Sequence, residues 1–184
     1  MLILVGPSAS GKTEVANILI KKYNMVRMVT YTTRPIRLGE VNGISYHFVT
    51  EEEFLKLKDN DEFVETVCYN GHYYGTRKSD VKFEKIVILE PNGLKAFNEK
   101  MRDYVVSFYL NTSEVERINR MIYRQDKKED IDKRIENDRK VFSDVKDVDY
   151  VITNENITLL DLADKIYNIY LKNKENKNGS FNRN

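Results

Sequence analysis

The sequence predicts an α/β fold: a central parallel sheet with helices on both faces. Three observations predict it. Short apolar runs at Leu2–Val5, Lys85–Leu89, Tyr104–Leu110 and Asp149–Thr153 alternate with helical patterns, the signature of parallel strands joined by crossover helices. The first run passes straight into Gly6-Pro7-Ser8-Ala9-Ser10-Gly11-Lys12-Thr13, a G-x-x-x-x-G-K-T strand-to-helix turn. Finally, 184 residues that are 41% hydrophobic suffice for one domain with a real core.

Composition excludes several classes. Thirty Lys and Arg against 29 Asp and Glu leave a net charge of +1, without the basic excess of a nucleic-acid protein. The single Cys68 rules out an internal disulfide, and with His47 and His72 it offers no metal-ligand spacing. No apolar run approaches the roughly 20 residues of a membrane span, and no signal peptide precedes Met1-Leu2. The expectation is a cytoplasmic chain.

Taken in order, Leu2–Val5, the glycine-rich turn and a helix over about 13–23, with Val15, Ile18, Leu19 and Tyr23 on one face, make the first βα unit. Met25–Thr30 reads as the next strand. Residues 31–49 are too polar and too interrupted by Pro and Gly for a core element. Thr50 with Glu53 forms a capping box, so a short helix runs over about 51–59. Glu62–Tyr69, Asn70-Gly71 and His72–Arg77 form a hairpin about a tight turn, which makes 30–77 a small, partly antiparallel insert. A helix near 79–84 leads into Lys85–Glu90, a buried parallel strand that delivers the Glu90 carboxylate to the ligand edge of the sheet. After Pro91 come a helix, the strand Tyr104–Leu110, helices Ser113–Arg124 and about 129–143, the strand Asp149–Thr153 and a last helix near 157–173. Lys172–Asn184 is rich in Asn, Lys and Gly and is expected to be disordered.

The glycine-rich turn carries the most specific chemistry. Its two glycines let the backbone curl so that successive N–H groups face phosphate oxygens. Lys12 reaches the β- and γ-phosphates, and the Thr13 hydroxyl is placed to ligate Mg²⁺. Its four fixed positions coincide by chance in roughly one chain in two hundred of this length, which makes it the anchor of the reading. Arg34 and Arg37, three apart in a Pro- and Gly-bounded loop, offer two planar forks of donors to an anion, against the plainer reading of solvated surface arginines. Arg117, Arg120 and Arg124 line one helix face that could close over a polyphosphate. Glu116, Asp126, Glu129 and Asp130 nearby leave open a charge-laced, solvated helix pair.

In their order and spacing these motifs resemble the guanylate kinase family, nucleoside monophosphate kinases that move the γ-phosphoryl of ATP onto GMP. The resemblance runs from Leu2 to about Leu171. It is carried by the phosphate loop, by T-T-R-x-x-R-x-G-E-x-x-G-x-x-Y-x-F-V at 32–49, by E-F-x-E with Y-Y-G-T at 62–76, and by R-x-x-x-R at Arg120 and Arg124 with the later Arg134. It implies a P-loop NTPase three-layer sandwich with core 1–30, 78–116 and 145–173, a small mixed α/β GMP-binding insert at 31–77, a helical lid at 117–144 and a disordered tail at 174–184. It implies ATP on Gly6, Pro7, Ser8, Ala9, Ser10, Gly11, Lys12 and Thr13, with Asn154 in the adenine pocket. The GMP phosphate falls to Arg34, Arg37, Tyr46 and Tyr74, and the guanine to Glu65, Thr76 and Glu90. Lys12, Arg34, Arg120, Arg124 and Arg134 are the implied catalytic groups, neutralising charge on the transferred phosphoryl, with Mg²⁺ on Thr13 as the cofactor. The implied partners are ATP, GMP and dGMP, with no nucleic acid and no membrane, in a monomer or homodimer.

The chain departs from the family pattern at several places. Ala9 stands where the family usually has Gly, which is tolerable only if that position avoids positive φ. The proline of the T-T-R segment comes one place early, as Pro35-Ile36, and the lid loop is about one residue shorter. Ile88 replaces the first of two strand carboxylates, leaving Glu90 alone, and Val141 replaces a Glu. Two other readings stay open: a kinase of the same build for another nucleoside monophosphate or a phosphorylated sugar, and a non-catalytic protein-binding module.

Overall fold

Leu2, Ile3, Leu4 and Val5 are all fully buried, so the strand they form needs cover on both faces. In the computed structural model, which describes residues 1–69 and 71–181, β1 (Leu2–Val5) accordingly occupies the middle of a five-stranded sheet. Its neighbours are β7 (Lys85–Ile88) and β8 (Val106–Asn111), flanked by β2 (Val26–Arg27) and β9 (Tyr150–Thr153), and every pairing is parallel. Strand alternation then sorts the core. Leu2 and Leu4 face α1 (Lys12–Tyr23) and α6 (Leu159–Phe181), packing with Val15, Leu19, Ile166 and Tyr170. Ile3 and Val5 face α3 (Pro91–Met101), packing with Leu94 and Phe97. The result is the expected three-layer sandwich.

A second, four-stranded sheet has the order β4-β3-β6-β5. β3 (Tyr31–Thr32) runs parallel to β4 (His47–Phe48) and antiparallel to β6 (His72–Arg77), which pairs antiparallel with β5 (Phe63–Tyr69). The capping box forms as read: the Thr50 hydroxyl accepts from the Glu53 amide at 3.1 Å, and the Glu53 carboxylate accepts from the Thr50 amide at 2.8 Å. It starts α2 (Glu51–Asp59), whose fully buried Phe54 stacks on Phe63 at 4.5 Å and on Tyr73 at 5.5 Å. Gly75 lies under this stack, where a Cβ would meet Phe63 at 3.0 Å and Phe54 at 3.1 Å. α4 (Glu114–Tyr123) and α5 (Lys128–Val141) meet over Met121, Ile131 and Ile135, and Ala9 packs against that cluster.

Three expectations change. The strand read at Met25–Thr30 shrinks to Val26–Arg27, because after Met28, whose N–H donates to the Ile86 carbonyl, the chain leaves for the second sheet. The helix expected near 79–84 is a 3-10 turn at Lys78–Asp80, since Ser79 and Asp80 favour turns over helix interiors. The last helix does not stop near 173 but runs to Phe181, through the stretch expected to be disordered; a packed helix propagates at little cost through Lys, Glu and Asn. Of the Asn70-Gly71 turn, Asn70 lies outside the described residues; Tyr69 pairs directly with His72 on either side of it. Residues 182–184 also lie outside the described residues. Other boundaries fall within about two residues of expectation. No helix among the described residues is long and apolar enough to cross a membrane.

Phe54 is the keystone of the second sheet. Phe54→Ala should cost about 3–5 kcal/mol, read as a fall in the urea midpoint.

Candidate active site

The turn between β1 and α1 is tied down by its own backbone, the Ser8 amide donating to Asp138 at 2.9 Å and the Ser10 amide to the Pro7 carbonyl at 3.2 Å. Gly6 admits no side chain, because a Cβ there would come within 2.8 Å of the Ser10 hydroxyl and 2.9 Å of the Leu110 carbonyl. Gly11 caps α1 at φ +93°, in the left-handed region. Between them three consecutive carbonyls are held from outside: Ser8 by Arg117 at 3.4 Å, Ala9 by Arg120 at 3.3 Å and Ser10 by Asn154 at 2.6 Å. Lys12 folds back over the turn, its Nζ donating to the Gly6 carbonyl at 2.6 Å and the Pro7 carbonyl at 2.7 Å. Burial pulls the Lys12 ammonium down to about 8, against the opposing pull of the Asp138 and Glu14 carboxylates.

Ala9 does take a positive φ, +59°, so the departure at this position falls where a glycine would be unstrained. What holds it is packing: its methyl lies against the Met121, Ile131 and Ile135 cluster.

The arginines of α4 and α5 divide sharply. Arg120 spans the turn and the sheet edge, also donating to the Asn154 carbonyl at 3.2 Å and to Glu116 at 3.0 Å. Arg124 and Arg134 are half exposed and share one carboxylate, Asp126, at 3.2 and 3.1 Å. Arg117 is not on a solvated face at all. It is buried with Asp138 at 2.7 Å, and the Asp138 carboxylate also accepts from the Ser8 amide at 2.9 Å and the Ser8 hydroxyl at 3.1 Å. A cavity of about 620 Å³ opens beside the turn, lined by Ala9, Gly11, Arg120, Tyr123, Asn154 and Leu159 among others. Asn154 is 1% exposed; its amide nitrogen serves the Ser10 carbonyl, and its Oδ1 is buried without a partner.

The second sheet gathers the other predicted residues. Arg34 is buried, bonded to Glu40 at 2.6 Å, with its guanidinium over the rings of Tyr46 at 5.4 Å and Phe48 at 5.7 Å. The Tyr74 ring meets Tyr46 edge-on at 6.0 Å, so Arg34, Tyr46 and Tyr74 converge. Arg37 stays exposed, but its backbone N–H donates to the same Glu40 at 2.7 Å, which makes Glu40 the organiser of the segment. Its Gly39 neighbour, like Gly43, turns at positive φ. Below them Glu65 stands opposite Thr76 across the β5–β6 ladder. The fully buried Thr76 hydroxyl donates to Glu65 at 2.9 Å, so its one proton is engaged there. Burial raises the Glu65 carboxyl above its ordinary 4.5, and the Thr76 bond opposes this.

A second cavity of about 290 Å³ is lined by Thr30, Ser45 and Tyr46 together with Ala16, Arg27 and Ile86–Ile88 of the core unit. Ile88 presents an apolar wall there and packs on the core. Glu90 is exposed at the N-cap of α3, and Thr13 is exposed in the first turn of α1. Among the described residues no three His, Cys, Asp or Glu side chains group to hold a metal ion. The sequence reading missed Glu40 and Asp138 as organising residues. Glu40 was visible as the fixed Glu of the 32–49 motif, and the one signal for Asp138 was its helical spacing from Ile131 and Ile135, which puts an acid on the buried face of α5.

The guanylate kinase family model matches residues 1–168. A guanylate kinase of Anaplasma phagocytophilum is 35% identical over 92% of this chain and 84% of its own length. One from Clostridium perfringens is 35% identical over 95% and 83%, and one from Thermotoga maritima 32% identical over 85% and 80%. The crystal structure of guanylate kinase from Anaplasma phagocytophilum superimposes with a TM-score of 0.63 at 31% identity, covering 92% of this chain and 82% of that one. Matched by the family model and by these relatives along most of its length, the chain belongs to the guanylate kinase family.

Proposed function

We propose that the chain transfers the γ-phosphoryl group of ATP to GMP, with dGMP as a second acceptor, giving the nucleoside diphosphate and ADP. The observation that carries this is the half-buried Glu65, oriented by Thr76 in the same sheet as the Arg34, Tyr46 and Tyr74 cluster. A carboxylate so placed accepts from guanine N1–H and the 2-amino group together, and a base with an acceptor at that edge would leave it buried and unpaired. Thr76 orients the Glu65 carboxylate. Arg34, Arg37, Tyr46 and Tyr74 hold the acceptor phosphate, and the exposed Glu90 is a further polar contact at the rim.

On the donor side, the loop amides and Lys12 hold the triphosphate. Asn154 lines the large cavity, and its amide suits the amino group of adenine, where guanine would offer an oxygen. The helix pair α4–α5 serves as the lid, and Arg120, Arg124 and Arg134 neutralise charge on the moving phosphoryl as water is excluded. The donor set fits Mg²⁺ arriving with its nucleotide: the Thr13 hydroxyl, phosphate oxygens and water suffice for an ion that keeps several waters, and Ile88 adds no ligand. When bound, the ion supplies positive charge to the β- and γ-phosphates. No side-chain base is required, since the acceptor phosphate is already anionic. We assign the reaction to the cytoplasm, where the exposed thiol of Cys68 stays reduced.

A coupled ATP-consumption assay across nucleoside monophosphates and phosphorylated sugars, with Mg²⁺, should single out the guanine acceptors; preference for an acceptor without the guanine edge would overturn the assignment of Glu65. Lys12→Ala should lower turnover by about a hundredfold or more, since charge stabilisation is the main catalytic term; near-normal turnover would remove Lys12 from the mechanism. Glu65→Gln should raise KM for GMP by about 10- to 100-fold through the lost and mismatched hydrogen bonds. The same variant has a stability signature. The raised Glu65 carboxyl means that the folded chain holds this proton more tightly than the unfolded chain, so ionisation subtracts stability as pH climbs through the folded value. The Tm of Glu65→Gln should therefore exceed wild type at pH 7, with the advantage gone below about pH 4.

A further inference from the structure

Arg117 and Asp138 are buried charges that phosphoryl transfer, as read above, does not use. Their surroundings are unlike those of an ordinary structural ion pair. Besides the 2.7 Å bond between them, their side-chain hydrogen bonds go to one residue of the phosphate loop: Asp138 takes the Ser8 amide and hydroxyl, and Arg117 reaches the Ser8 carbonyl. The Arg117 Nε is buried without a partner, so the pair is not optimised as a pair. Arg117 comes from α4 and Asp138 from α5, which means that both lid helices grip the same loop residue. The grip sits immediately before Ala9, whose left-handed conformation must be held against its own strain.

We propose that Asp138, neutralised by Arg117, is a positioning residue that sets the phosphate loop for the triphosphate and fastens both lid helices to it. The charge balance matters. A bare carboxylate beside the loop would repel the triphosphate, whereas the pair is a neutral brace that still offers two acceptor oxygens to Ser8. The proposal rests on the reading of this loop as the ATP site, and its test is chosen to separate the two.

Each single apolar substitution strands a buried charge and threatens folding, so the decisive variant is the double one, Arg117→Leu with Asp138→Ala, which removes both charges and keeps the site apolar. Hydrogen exchange at the loop amides needs no substrate and tests the brace itself: exchange of the Ser8 amide should quicken in the double variant. Steady-state kinetics should show KM for ATP raised about tenfold, as expected for a loop displaced by a fraction of an ångström, with KM for GMP unchanged. Arg117→Leu alone should raise KM for ATP further than the double variant does, because it leaves the carboxylate bare. Unchanged Ser8 exchange, or a double variant with wild-type KM for ATP, would reduce the pair to a structural contact and overturn the proposal. A lower KM for ATP in Asp138→Asn would overturn it too, since the carboxylate would then be a competitor for the loop. Absence of ATP-to-GMP transfer in the wild type would instead defeat the functional reading while leaving the exchange result to judge the brace.

Discussion

Everything in this molecule depends on turning one short run of backbone inside out. A phosphate loop works only if successive amides point inward, and that requires their carbonyls to point outward, where each must find a donor. Here the Ser8, Ala9 and Ser10 carbonyls find Arg117, Arg120 and Asn154, drawn from α4 and from the end of β9. The parallel sheet brings those elements to the same edge as β1, so the fold is the device that supplies the donors. The left-handed glycine at position 11 and the crowded one at position 6 make the curl possible, and the three outside donors make it permanent.

The second sheet solves a different problem, that of keeping charged groups buried without a fixed counterion contact to every donor. Arg34 is held by one carboxylate, by the Pro35 carbonyl and by two aromatic faces. Glu65 has the complementary difficulty, a carboxylate in a place that disfavours its charge, with one hydroxyl in support. Both residues are costly in the free protein. The Phe54, Phe63 and Tyr73 stack beneath them gives the sheet the rigidity to hold such groups in place.

Much of this was legible in the residues. The order of strands and helices follows from apolar runs and caps, and the phosphate loop and the 32–49 motif pointed to the family that the chain belongs to. Arg34 could not be told from a solvated arginine by pattern, because its burial depends on Tyr46, Phe48 and Glu40 folding around it. Arg37 has the exposure that pattern suggested. Asp138 was legible only as an acid on the buried face of α5, and its meeting with Ser8, 130 positions away, lies beyond any local pattern. The extent of α6 escaped for a similar reason: composition reports what a segment would do alone, whereas this one continues a helix already anchored on the core.

The Ala9 methyl has a consequence for how the molecule comes apart. Because that methyl belongs to the same apolar cluster as Met121, Ile131 and Ile135, the loop contributes an atom to the interior of the α4–α5 pair. Fluctuations that loosen those helices strip the support from a strained residue of the loop, and fluctuations of the loop open the helices' interior. Loop and helices therefore form one cooperative unit of local unfolding, a foldon assembled from segments more than a hundred residues apart in the chain.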